Sequence, residues 1–211
     1  VLQRGEPAAV FGNDSINPGT QNIQVQFAGQ TKTTTTDANG NWRVNLDAMT
    51  ANATGRDLVV TGSASITITD ILVGEVWLAT GQSNMNATVS TSSDVNTPNP
   101  SHFPLIRMCN WEGSVGAGGG TVYNAGNFAN LTPENFFNGS WQTMDTSTVL
   151  PQSAVAYYFA QNLAADLSVP IGIIDISYGG TSTEAYISPA AHANDPHLKD
   201  AFQRPHLCRN L

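Results

Sequence analysis

The run Thr80-Gly81-Gln82-Ser83-Asn84-Met85 sets a hydroxyl nucleophile two residues after a glycine, at the end of a compact apolar segment, Val73 to Thr80. A serine at the C-terminal end of a strand projects its hydroxyl toward the crevice where α/β sheets bind ligands. If a helix begins there, its first amides favour a developing negative charge, and the Ser83 amide is itself a candidate oxyanion donor. The chemistry such a turn serves is acyl transfer. The run departs from the Gly-x-Ser-x-Gly elbow, since Met85 stands where the second glycine would. The same residues also fit a plainer role, in which Ser83 caps a helix and Asn84 continues the turn.

A second run, Ser177-Tyr178-Gly179-Gly180-Thr181-Ser182-Thr183-Glu184, follows another apolar segment, Ile171 to Ile176. Paired glycines let a backbone approach a ligand closely and present N–H groups to it, which an oxyanion hole requires. The alternative is a strand-to-helix turn in which Thr181 and Glu184 form a capping box. Both roles are compatible. Around the two turns, Ser83 is a candidate nucleophile and Gly179 and Gly180 are candidate oxyanion donors. Gln82, Asn84, Thr181 and Glu184 are the expected substrate contacts.

A serine needs a base to become nucleophilic, normally a histidine oriented by an aspartate. The four histidines are His102, His192, His197 and His206. Asp195-Pro196-His197 is the nearest approach to an Asp/His pair, and it also reads as a surface turn started by Asp-Pro. Cys109 and Cys208 have no metal-ligand spacing; a disulfide between them and two separate thiols are both open. No metal or other cofactor is expected.

The elements that must carry these residues follow from periodicity. Residues 1–70 alternate apolar and polar, with Val25, Phe27, Trp42, Val44, Leu46, Val59, Ile66 and Ile68 in short runs. Turn signals separate them at Asn17-Pro18-Gly19, Asp37-Ala38-Asn39-Gly40-Asn41 and Thr61-Gly62-Ser63. Thr31 to Thr36 predicts an edge strand, and the spacing as a whole predicts a small β-sandwich. From Ile71 the pattern changes to a buried strand over Val73–Thr80, a helix over Ser153–Leu167 and a second buried strand over Ile171–Ile176. That order is the βαβ grammar of an α/β domain with a parallel sheet. The helix is marked by Ala154, Val155, Tyr158, Phe159, Leu163 and Leu167 and bracketed by Pro151 and Pro170. The Gly-, Asn- and Pro-rich stretch from Thr91 to Thr146 predicts long surface loops over the strand ends.

Composition narrows the partners. Only 11% of residues are charged and the formal charge is −8, from 8 basic and 16 acidic side chains. Nucleic acids and anionic membranes call for clustered Lys and Arg, so neither is expected. No apolar run approaches membrane-spanning length. A neutral, hydroxyl-rich ligand fits better. The opening at Val1 without a methionine reads as a processed or truncated end.

Val73-Gly74-Glu75-Val76-Trp77-Leu78-Ala79-Thr80-Gly81-Gln82-Ser83-Asn84-Met85 resembles the signature of the sialate O-acetylesterase family of SGNH hydrolases. Pro170 to Thr181, with Glu184-Ala185-Tyr186-Ile187-Ser188, resembles that family's second block, and Val1-Leu2-Gln3-Arg4 the start of its N-terminal β domain. The resemblance reaches to about Ser188. It implies a three-layer α/β/α, flavodoxin-like SGNH domain over residues 71–211, preceded by a β-sandwich over 1–70. It implies Ser83 as nucleophile and Gly179 or Gly180 as oxyanion donor. The reaction it implies is attack on an acetyl ester of a sugar hydroxyl, an acetyl-enzyme and release of acetate, without a metal.

The family's late Asp-x-x-His block and its Gln-Gly-Glu motif are not found in these residues, so a C-terminally incomplete chain of weak or no activity is expected, the alternative being a diverged chain that is not catalytic. The expected partner is an acetylated carbohydrate, whether a sialic acid or a neutral polysaccharide, and the expected location periplasmic or secreted. Sialic acid would call for a basic side chain in the site, for which Arg43 and Arg107 are the candidates. A lipase or thioesterase is a rival, disfavoured by the polar loops over 91–146. A non-catalytic sugar-binding protein is the other, with Trp111, Tyr123, Trp141 and Tyr186 as stacking candidates.

Overall fold

The computed structural model describes residues 1–110, 139–181 and 186–195. The fold is mixed α/β and divides into two compact units, Val1–Val76 with Leu163–Gly172, and Trp77–Asn162 with Ile173–Leu211.

In the first unit, β1 (Leu2–Gln3), β2 (Ala8–Asn13), β3 (Asn22–Phe27), β4 (Gln30–Thr35), β5 (Asn41–Leu46) and β6 (Asn52–Thr61) precede the long β7 (Ser65–Ala79). The order β4-β3-β6-β7 is antiparallel at each step, and β1 adds to β7 in parallel. β2 and β5 form a separate antiparallel pair, with Val10 opposite Val44. Ile23, Val25 and Phe27 alternate along β3 toward one side. There they bury with Val44 and Leu46 of β5, Leu58 of β6 and Val73 of β7 in a single cluster. Each such side chain contributes about 1.5–3 kcal/mol on burial. The threonine tract is the edge strand its composition predicts, β4. Ile66 and Ile68 differ from expectation: both are mostly exposed, so their alternation does not mark the core. Glu75 receives hydrogen bonds from Arg4 Nε and Gln3 Nε2, and Gln3 Oε1 accepts from the Val76 amide.

The second unit holds the C-terminal end of β7, α1 (Ser83–Asn86), β8 (Ile106–Asn110), β9 (Trp141–Thr143), most of α2 (Ala154–Leu167), β10 (Ile171–Asp175) from Ile173, and α3 (Pro189–Asn194). The strand order is β7-β10-β8-β9. Hydrogen bonds from Glu75 to Pro170 and from Ile176 to Ala79 advance together along β7 and β10, the parallel sense.

Three expectations are corrected here. Within the stretch read as surface loops, Ile106, Met108 and Cys109 form a buried strand, β8, paired antiparallel with β9. Its five residues are too few to show a period and lie among turn-forming residues. β7 is buried over Leu72–Gly74, whereas Trp77 and Leu78 are 45% and 61% exposed. The helix α2 stands where predicted, but its buried face is Ala156, Tyr157, Ala160 and Ala164, while Val155 and Phe159 face outward. Alanines let a helix approach its neighbours closely, and they carry little weight in a hydrophobicity pattern. Outward-facing Phe159 packs edge-on against Trp77, with ring centres 5.2 Å apart.

Candidate active site

β7 ends at Ala79, and the chain turns through Gly81 into a single helical turn. Gly81 has φ 151°, and a Cβ there would lie 2.9 Å from Met85 Cβ. Both the conformation and the space therefore require glycine. Gln82 is the N-cap: its side-chain oxygen accepts from the Ser83 amide, and its carbonyl accepts from the Asn86 amide at 2.9 Å. With only four residues, α1 has too few aligned peptides for the macrodipole the sequence reading anticipated.

Ser83 is exposed, as are Gln82 and Asn84. The Ser83 amide and hydroxyl both donate to Gln82 Oε1, at 2.9 and 2.6 Å. An amide oxygen has two lone pairs, so one carboxamide satisfies both donors. The Ser83 amide and hydroxyl are thus both capped by the neighbouring side chain.

The turn is fastened from behind by distant residues. Ser153 Oγ donates to the Met85 carbonyl at 2.6 Å and accepts from the Ala156 amide at 3.2 Å. The Ala154 amide donates to Ala87 O and the Val89 amide to Gln152 O. The start of α2 therefore holds the exit of the Ser83 turn.

The Gly179-Gly180 turn meets the same place. Asp175, buried at the end of β10, accepts from the Ser177 amide at 2.8 Å. The Ile176 amide donates to Ala79 O and the Tyr178 amide to Gly81 O, both at 3.0 Å. A Cβ on Gly179 would lie 3.8 Å from Asn86 Oδ1, so the two turns are neighbours. Gly180 has φ 87° and open space where a Cβ would stand. Thr181 Oγ1 donates to Tyr178 O at 2.8 Å and lies 2.9 Å from the Tyr186 hydroxyl, which donates to Gly81 O at 2.5 Å. In the sequence Tyr186 stands as a stacking candidate and as part of the second block of the family resemblance. The signal for its role here lies in the fold, since 105 residues separate it from Gly81.

Glu184, His197, His206, Cys208, Trp111 and Tyr123 lie outside the described residues. His102 sits in a 3-10 stretch, Pro100–Leu105, with Nδ1 buried and unpartnered. His192 lies on α3, and the Asp195 amide donates to Ala191 O at the end of that helix. Arg107 donates to the carbonyls of Pro104 and Ile106, and Arg43 is exposed on β5. Cys109 is buried on β8, and Trp141 is partly exposed on β9. Among the described residues Ser83 is hydrogen-bonded to Gln82 and to no histidine. No three His, Cys, Asp or Glu side chains among them cluster as metal ligands, and no helix among them is long and apolar enough to cross a membrane.

No protein-family model matches the chain. Sialate O-acetylesterases of Homo sapiens and Pongo abelii are 27% identical to it over 201 residues, 89% of this chain and 37% of theirs. That of Rattus norvegicus is 27% identical over 206 residues, 90% of this chain and 36% of its own. The crystal structure of a carbohydrate acetylesterase from Xanthomonas citri superposes with a TM-score of 0.75 at 30% identity, covering 92% of this chain and 41% of that one. The chain is a homologue of the sialate O-acetylesterases. It spans a little over a third of the length of the curated sialate O-acetylesterases it matches.

Proposed function

We propose that this chain carries the nucleophile and oxyanion turns of a serine esterase that removes O-acetyl groups from sialic acids or other acetylated carbohydrates. The observation that carries the reading is the meeting of two strand-end turns at one carbonyl: Gly81 O accepts from the Tyr178 amide and from the Tyr186 hydroxyl. That meeting joins the turn that carries Ser83 to the turn that carries Gly179 and Gly180, which supports reading them as nucleophile and oxyanion donors. Homology to sialate O-acetylesterases and the likeness to a carbohydrate acetylesterase support the acyl chemistry.

In the proposed reaction Ser83 Oγ forms a bond to the acetyl carbon while a base takes its proton. The tetrahedral oxyanion is held by the Gly179 or Gly180 amide and, once Gln82 swings aside, by the Ser83 amide. The bond between the acetyl carbon and the sugar oxygen then breaks, the base gives its proton to the leaving sugar oxygen, and water repeats the sequence on the acetyl-enzyme to release acetate. The base would be a histidine oriented by an aspartate. Gln82, Asn84, Thr181 and Glu184 would line the sugar. The scheme requires no metal.

The reading carries with it an SGNH, flavodoxin-like three-layer architecture for residues 71–211, a β-sandwich for residues 1–70, and a periplasmic or secreted location. The capture of the Ser83 hydroxyl by Gln82 favours one alternative, a sugar-binding protein that does not turn over.

A fluorophosphonate probe distinguishes the two. In the natural full-length protein it should label the peptide containing Ser83, and Ser83→Ala should abolish labelling and lower acetate release by about 10⁴-fold or more. Glycan binding without labelling would leave the sugar-binding alternative in its place.

A further inference from the structure

We propose that Tyr186 is a positioning residue that aligns the Ser83 amide with the Gly180 turn; the proposal rests on the acyl-transfer reading above. Its hydroxyl touches both halves of the site. It donates to Gly81 O at 2.5 Å and lies 2.9 Å from Thr181 Oγ1, on the residue directly after Gly180. Thr181 Oγ1 in turn reaches Tyr178 O at 2.8 Å. Only two hydroxyl protons are available for these three oxygen–oxygen contacts, since the carbonyls of Gly81 and Tyr178 bring none, so the two hydroxyls must share them. The hydroxyls therefore act as one unit, and removing either disturbs the contacts of the other.

What this unit holds is the plane of a peptide. The Gly81 carbonyl and the Gln82 amide share one rigid group. Fixing the oxygen sets the direction in which the chain enters Gln82; the Ser83 N–H lies one peptide further on, related to it by the Gln82 φ of −112° and ψ of −138° and held there by the Asn86 amide on Gln82 O. Glycine at φ 151° has no side chain to restrain it, so the restraint must come from outside the turn. The Tyr178 amide supplies part of it at 3.0 Å. That second bond also keeps the turn tethered when the tyrosine hydroxyl is removed, so a Tyr186→Phe protein should fold.

Oxyanion donors contribute by their aim, and losing one lowers turnover by roughly 10²–10³-fold. A donor that is kept but poorly aimed should lose less. In the natural full-length protein, Tyr186→Phe should lower kcat for an acetylated sugar by about 10–100-fold with KM within about twofold. Thr181→Val should act in the same direction. The double variant should fall little further than Tyr186→Phe alone, because the two hydroxyls act together. Amides of residues 81–84 should exchange hydrogen faster in Tyr186→Phe while the melting temperature stays within a few degrees.

Wild-type kcat in Tyr186→Phe, or unchanged exchange at residues 81–84, would overturn the proposal. So would a loss of turnover that merely follows a loss of thermal stability. Equally slow hydrolysis by the wild type and Ser83→Ala is a separate outcome: it removes the acyl-transfer reading, and this proposal with it.

Discussion

The turn at Asp37–Asn41 and the turn at Gly81–Asn86 use the same kinds of residue for opposite ends. In the first, Asp37 Oδ1 accepts from the amides of Asn39 and Asn41 at 2.8 and 2.9 Å, and its other oxygen meets Asn41 Nδ2. The Asp37 amide donates to Asn41 O and the Gly40 amide to Asp37 O. The Asp37 carboxyl is satisfied within five consecutive residues, although Asn13, Asp14 and Gly19 also donate to the carbonyls of Asn39, Gly40 and Asp37. That carboxyl is held below its ordinary value of 3.8, chiefly by the Asn41 and Asn39 amides. In the second turn the anchors come from far along the chain: Ser153 on Met85 O, Tyr178 and Tyr186 on Gly81 O. Its outward side chains, Gln82, Ser83 and Asn84, are exposed. A turn closed by its own side chains presents nothing to a ligand. One fastened from behind keeps its front available for chemistry.

The contrast is most severely tested at Gly81. Gly81→Ala imposes a φ unsuited to an L-residue and a 2.9 Å contact with Met85 Cβ. It should cost about 1–3 kcal/mol in stability. It should also lower acetate release by about 10²-fold, as expected when donor alignment is lost. Calorimetry and an acetate assay on one preparation would check both, and retained activity would show that the reaction does not depend on how the turn is held.

A smaller effect of opposite sign is expected at Gln82. Gln82→Ala removes the acceptor for both Ser83 donors. The rate of phosphonylation by a small fluorophosphonate should rise by about fivefold, the equivalent of roughly 1 kcal/mol for one hydrogen bond. A slower rate would mean that the carboxamide assists Ser83 instead of restraining it.

The mildest change belongs to the closed turn. The lowered carboxyl of Asp37 contributes stability that is fully present above pH 3.8 and is lost as the pH falls through its folded value. Asp37→Asn should therefore melt below the wild type at pH 6, with the gap closing progressively below pH 3.8, and acetate release at neutral pH should be unchanged. A gap that persists in acid would assign the effect to packing and not to charge.

The two turns also show what can be read from a linear pattern. The strand-end runs at Val73–Thr80 and Ile171–Ile176 announce themselves by hydrophobicity, and the glycines after them announce turns. The Asp37 turn is equally legible, because the partners of its carboxyl lie within four residues. The anchors of the Ser83 turn are not, since 68 and 105 residues separate Ser153 and Tyr186 from the carbonyls they hold. β8 escaped notice for a different reason: Ile106-Arg107-Met108-Cys109-Asn110 is too short to show a period and lies among turn-forming residues. The buried face of α2 was obscured because alanine, which allows close packing there, resembles a surface residue in hydropathy. Gln82 stood out only as a flanking residue, and its hold on Ser83 depends on rotamers that no pattern of residue types encodes.

The single turn of α1 has a consequence for the order in which the molecule matures. A four-residue helix lies far below the length at which helices persist alone in water. It must wait for partners, and one of them, Tyr186, lies 105 residues downstream of the carbonyl it holds. Closing so long a loop is slow compared with forming a hairpin such as β3–β4, whose strands are joined by a short turn. During synthesis the first unit's hairpins can therefore form while the Ser83 turn is still loose. The Ser83 turn gains its last tether only after Tyr186 has emerged, so its final geometry is set late in synthesis.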